Sequence, residues 1–176
     1  MKFDVEQAVM NRAKHPHNLF MMNLALFHLL MTPAVIVLNI GLSGVLLPLI
    51  LSLAVILFTY LKSNRIDRDH NAYLFLHWKL ALLRYRYLLL SYAVTAGLML
   101  VGWMISMGAA DEHMRHILQT VFIRIAIMPV LIMVMVNFYL ESNAINLASS
   151  GDVPDSLVKT YAPSLIKPDD NEHSAS

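Results

Sequence analysis

The chain contains no cysteine. Disulfides, cysteine-ligated iron–sulfur clusters and thiolate metal sites are therefore excluded. Charge is scarce as well: charged residues make up 14% of the 176 residues, against 57% hydrophobic, and the mean hydropathy is +0.57. A soluble domain carries about 25% charged residues, so water is the wrong solvent for most of this chain. Equally absent are an HExxH pair, a Gly-rich phosphate loop, paired catalytic carboxylates and a Ser-His-Asp arrangement. These gaps argue against an autonomous enzyme or a nucleotide-driven pump. The net charge of +1 gives no reason to expect a nucleic-acid partner.

What the chain does have is four long apolar runs: Leu19 to Leu38, Val45 to Leu61, Leu88 to Met107 and Ile117 to Leu140. A hydrocarbon core about 30 Å thick is crossed by about 20 mostly apolar helical residues. The expected fold is an all-α membrane protein with four transmembrane helices arranged as two hairpins. None of the four runs contains Asp or Glu, which disfavours a proton- or sodium-coupled transporter. The first run is too long for a signal-peptide core and no small-residue cleavage site ends it, so it reads as a retained span.

Orientation follows from where Lys and Arg fall. Lys62, Arg65, Arg68, Lys79, Arg84 and Arg86 lie between spans two and three, and Lys2, Arg12 and Lys14 precede span one. The Asn39–Gly44 connection is uncharged, and Gly108 to His116 sets Arg115 against Asp111 and Glu112. Both termini are thus expected in the cytoplasm. Phe58, Tyr60, Tyr85, Tyr87, Phe138 and Tyr139 mark the same boundary, where aromatic rings favour headgroups. Small size and short loops suggest the bacterial inner membrane.

Three regions are expected: a cytoplasmic segment over residues 1–18, a membrane domain over 19–148 that includes a cytoplasmic or interfacial helix over 62–87, and a disordered polar tail over 149–176. Gly41 and Gly44 suit a tight turn between spans one and two. The Gly41-Leu42-Ser43-Gly44 string resembles a serine-nucleophile motif, with His113 or His116 as the only bases on that side, but small residues of this kind also make a plain hairpin. Pro33, Pro48 and Pro129 should kink their spans.

The stretch from Asp69 to Tyr87 has no Gly or Pro and runs straight into span three. One helix from about Asn71 to Met107 is expected, about 55 Å long. Leu74, Trp78, Ala81 and Tyr85 form one apolar face; Tyr73, Leu76, Leu80, Leu83 and Tyr87 form another. A surface-lying helix shows one apolar face, so two imply packing on both sides, by residues 1–18 and by another protein. His70, His77, Trp78, Lys79, Arg84 and Arg86 are the expected contacts with that partner or with lipid headgroups.

Only His28 and Arg124 are ionisable at depth within the spans. Such groups are functional candidates by default. His28 could ligate a b-type haem or hydrogen-bond a quinone, with Arg124 meeting a propionate or carbonyl. A bis-histidine haem needs a second histidine at equal depth, which this chain lacks. His15, His17, His70 and His77 share the basic side but have poor chelating spacing. The functional expectation is a non-catalytic accessory subunit or assembly factor in contact with other membrane subunits; alternatives are a haem- or quinone-binding redox anchor or a small transporter or channel.

Overall fold

The structure is a computed structural model describing residues 1–38, 41–68 and 70–165. Helix α1 spans Gln7–Ala13 and α2 His15–Asn23; a π-helical stretch, Leu24–Met31, leads into α3, Thr32–Val37. Then come α4 (Gly41–Ser63), α5 (Ala72–Met107), α6 (Glu112–Ser150) and α7 (Asp155–Tyr161). No strand occurs among the described residues; one isolated β-bridge joins Lys2 and Asp152. Four helical stretches are long and apolar enough to cross a membrane: Gln7–Val35, Leu46–Ser63, Ala72–Met107 and Glu112–Ser150. Their outer surfaces carry exposed Leu, Ile, Val and Met throughout, which only lipid or protein can cover.

Local chemistry sets the ends. Asp111 caps α6 by accepting from Met114 N at 3.2 Å, with Glu112 in the first turn where the helix dipole favours negative charge. At the other end Gly151 adopts φ +76°, and the Asp152 N–H donates to the Leu147 carbonyl at 3.0 Å. That six-to-one bond is the Schellman stop. A side chain at residue 151 would also meet the Phe3 carbonyl. Pro16 lies in the first turn of α2, where its missing N–H is no loss. Gly41 to Gly44, expected as a turn, are helical residues that open α4; Asn39 and Ile40 lie outside the described residues.

At 36 and 39 residues, α5 and α6 are each nearly twice the hydrocarbon thickness, about 54 and 58 Å. They share the largest interface in the molecule and run past the other spans at the basic end. There their overhang packs with α1 and α7 around Ala13, Tyr73, Leu76, Leu80, Ala144, Ala148, Val153, Leu157 and Val158. The chain ends are clipped over this core: Phe3 N–H donates to Gly151 O at 2.8 Å, Val153 N–H to Met1 O at 2.9 Å, and the Met1 nitrogen to Val153 O at 2.7 Å.

This cap corrects one expectation and bears on a second. Residues 149–165 are folded, not part of a disordered tail, because Val153, Leu157 and Val158 bury themselves against α5 and α6; residues 166–176 lie outside the described residues. The two apolar faces of α5 before the third span are met in large part by α1, α2, α6 and α7 of the same chain, with Tyr87 left exposed.

Candidate functional site

Helices α2, α5 and α6 bring four buried ionisable side chains together where the cap meets the spans. Along α2 and the π segment, His17, Phe20, Leu24 and His28 recur at three- and four-residue steps with Asn23 beside Leu24, which places them on one inward stripe. His17 Nδ1 lies 2.7 Å from Glu141 Oε2, and its Nε2 lies 3.1 Å from His77 Nδ1. Arg84 Nη1 donates to Glu141 Oε1 at 3.1 Å and also to the Leu140 carbonyl. Glu141, His17 and His77 are fully buried and Arg84 nearly so. The Tyr73 ring meets His77 edge-on at 4.7 Å, and its hydroxyl donates to Ala148 O.

The charges balance. Arg84 and Glu141 neutralise each other, and His17 donates its Nδ1 proton to the carboxylate. With His17 neutral, His77 Nδ1–H donates to His17 Nε2; with His17 protonated, the same contact reverses and His77 Nδ1 accepts. Breaking the Arg84–Glu141 pair would leave a buried charge alone, which is strongly destabilising.

A second polar group lies deeper. His28 Nε2 accepts from the Tyr92 hydroxyl, whose oxygen lies 2.9 Å from Ser52 Oγ, while His28 Nδ1 faces the Asn23 carbonyl at 3.4 Å. Three spans contribute to this chain, and the directions are consistent: Ser52 to Tyr92, Tyr92 to His28, and His28 to Asn23 O. His28 sits within the π-helical stretch, directly before Thr32-Pro33, where proline removes a backbone donor and the Thr32 hydroxyl bonds to Phe27 O at 2.8 Å. Wide turns of this kind recur at functional sites. Between the two groups, the buried Asn23 and Asn137 amides and the Tyr85 hydroxyl have no partner of normal hydrogen-bond geometry among the described residues. Such groups are commonly met by buried water.

Tyr92→Phe is expected to lower stability by about 1–3 kcal/mol, because it leaves the His28 ring nitrogen and the Ser52 hydroxyl buried without their shared partner. Thermal unfolding in detergent reads this; an unchanged melting temperature would show the chain contributes nothing.

The sequence candidates divide as follows. His28 is interior, but both its ring nitrogens are engaged, so as arranged neither is free to ligate haem iron or a quinone carbonyl. Arg124 is exposed on α6, and no hydrogen bond or ion pair joins it to His28 or to any other described residue. The two do not form one site. His77, Trp78 and Arg84, expected at a partner or headgroup surface, are instead buried, because α2 and α6 supply His17 and Glu141 to the face that carries His77 and Arg84. His70 is exposed, with Nδ1 2.7 Å from Asp67 Oδ2. Lys79 is half-buried over the Phe75 ring and reaches Asn64, and Arg86 is exposed. No group of three or more His, Asp or Glu suited to a metal ion occurs among the described residues. Glu141 was not singled out from sequence, and His17 was weighed only as one of four basic-side histidines with poor chelating spacing; a carboxylate directly following an apolar run, with a histidine just before another, was the available signal. No protein-family model, characterised protein or solved structure matches the chain.

Proposed function

We propose that this chain is a non-catalytic accessory subunit or assembly factor of a larger complex in the bacterial inner membrane, with both termini in the cytoplasm. Arg124 carries the reading. It stands about seven residues, or about 10 Å, inside the apolar part of α6, exposed among Val121, Ile123, Ile125 and Met128. An arginine at the centre of a span costs about 2.5–3.5 kcal/mol on insertion scales, somewhat less at this depth. No carboxylate of this chain lies in the apolar part of any span. A carboxylate on a neighbouring subunit would offset that cost. The two buried polar groups support the same view: the Glu141 cluster and the Ser52–Tyr92–His28 chain each bond within themselves. The orientation rests on Lys and Arg gathered at the end where the N-terminus meets residues 151–155.

The test is blue-native electrophoresis and cross-linking of the tagged protein from its own membranes. The wild type should run in an assembly of discrete size, Arg124→Leu should run alone, and Arg124→Lys should retain part of the assembly. A wild-type protein that migrates as an isolated monomer would end the proposal.

A further inference from the structure

We infer that the groove between α4 and α5 at the basic end binds one molecule of an anionic phospholipid. This inference needs only that the chain lies in a bilayer, and stands apart from the complex it joins. Helices α4 and α5 meet far less extensively than α5 and α6, and the space left between them is about 490 Å³. That is within the range of about 300–1,000 Å³ of ordinary ligand pockets. Its walls are aliphatic: Leu53 and Leu57 from α4 face Leu82 and Leu89 from α5. The α5 side runs from Lys79 to Leu89, about 15 Å of helix, and so leads from the basic end past the headgroup boundary expected at Tyr60 and Tyr85 into the start of the third span.

The polar end explains why the occupant should be anionic. Lys79 and Arg86, seven residues apart on α5, both line the groove, and no carboxylate lines it. Arg86 has no hydrogen bond or ion pair among the described residues, and Lys79 has only the long contact to Asn64 and the Phe75 ring. Tyr60 of α4 and Tyr161 of α7 stand at the same lining, adding hydroxyl donors suited to phosphate oxygens. An aliphatic slot lined toward the basic end by two cations and three tyrosines, Tyr85 among them, complements one acyl chain attached to a phosphate. Basic pockets between membrane helices recognise headgroups in this way, and an arginine fork can hold two phosphate oxygens at once. Tyr161 belongs to the cap, so an occupied groove would also brace α7 against the spans.

Native mass spectrometry and thermal unfolding of the purified, delipidated full chain test this, with phosphatidylglycerol and phosphatidylcholine of matched acyl chains as probes. One phosphatidylglycerol adduct should survive collisional activation and raise the melting temperature, whereas phosphatidylcholine should do neither. Glycerol phosphate, which has the headgroup charge without the chain, should not compete. Removing two headgroup cations in Lys79→Gln/Arg86→Gln should weaken phosphatidylglycerol binding about 30-fold. Lys62→Gln/Arg65→Gln, basic residues that do not line the groove, should leave it within about threefold. Leu57→Trp, which fills the slot and keeps every charge, should also abolish the adduct while the lipid-free melting temperature holds. Equal retention of both lipids, equal loss in the two double variants, or an adduct that survives Leu57→Trp would each overturn the inference.

Discussion

Glu141→Leu is expected to destabilise the protein by about 3–5 kcal/mol, the usual consequence of removing one member of a buried ion pair. The reason is specific. Glu141 accepts from Arg84 through one oxygen and faces His17 through the other, so its loss strands a guanidinium and an imidazole in an interior without another carboxylate. Arg84 keeps only its bond to the Leu140 carbonyl. The damage should spread to α2, because His17 is the group that ties that helix to α5 and α6 through polar contacts. Faster hydrogen exchange over residues 1–23 and a lower melting temperature in detergent are the readouts. The double variant Glu141→Leu/Arg84→Met separates ion pairing from packing: well-packed apolar replacements of a buried pair are often neutral or stabilising, so much of the loss should return. If Glu141→Leu melts with the wild type, the cluster does not hold the cap to the spans.

Gly102→Leu should be comparably severe, for a steric reason. Gly102 is buried on α5 where that helix crosses Phe122 of α6, and even a single Cβ would overlap the Phe122 Cβ and Cγ. Those atoms are the root of the phenylalanine, which cannot swing aside as a side-chain tip can, so the helices must part. Between membrane helices the hydrophobic effect is weak and close contact of small residues supplies much of the association. Gly102→Ala is expected to cost about 1–3 kcal/mol, and Gly102→Leu more, read as a fall in melting temperature and increased protease sensitivity near the Gly108–Asp111 connection. Gly97 provides the control: nothing lies within 4 Å of a Cβ built there, so Gly97→Ala should be tolerated or slightly stabilising through helix propensity. Adding Phe122→Ala to Gly102→Ala should restore part of the loss, since the two residues share one space. Equal effects at Gly97 and Gly102 would refute the close-contact account.

How far these features can be read from the chain depends on the range of the interactions behind them. Crossing helices are set by local composition, since about 20 consecutive apolar residues can be solvated only by lipid or protein; the four stretches are therefore plain in the letters. The unbroken α5 is equally plain, because Ala72 to Tyr87 contains neither glycine nor proline to stop it. The burial of His77 and Arg84 depends instead on His17 and Glu141, at separations of 60 and 57 residues, and a polar residue beside an apolar run looks the same whether it meets water or a partner. Residues 149–165 pack through Val153, Leu157, Val158, Tyr161, Ala162 and Leu165, around a helix of about two turns set between prolines, and their order comes from the surface that α1, α5 and α6 present. The π stretch at His28 and the Gly102–Phe122 contact likewise exist only because neighbouring helices stand where they do. Lipid selects the helices one at a time, whereas the interior is chosen by which faces meet, and that choice has no local signature.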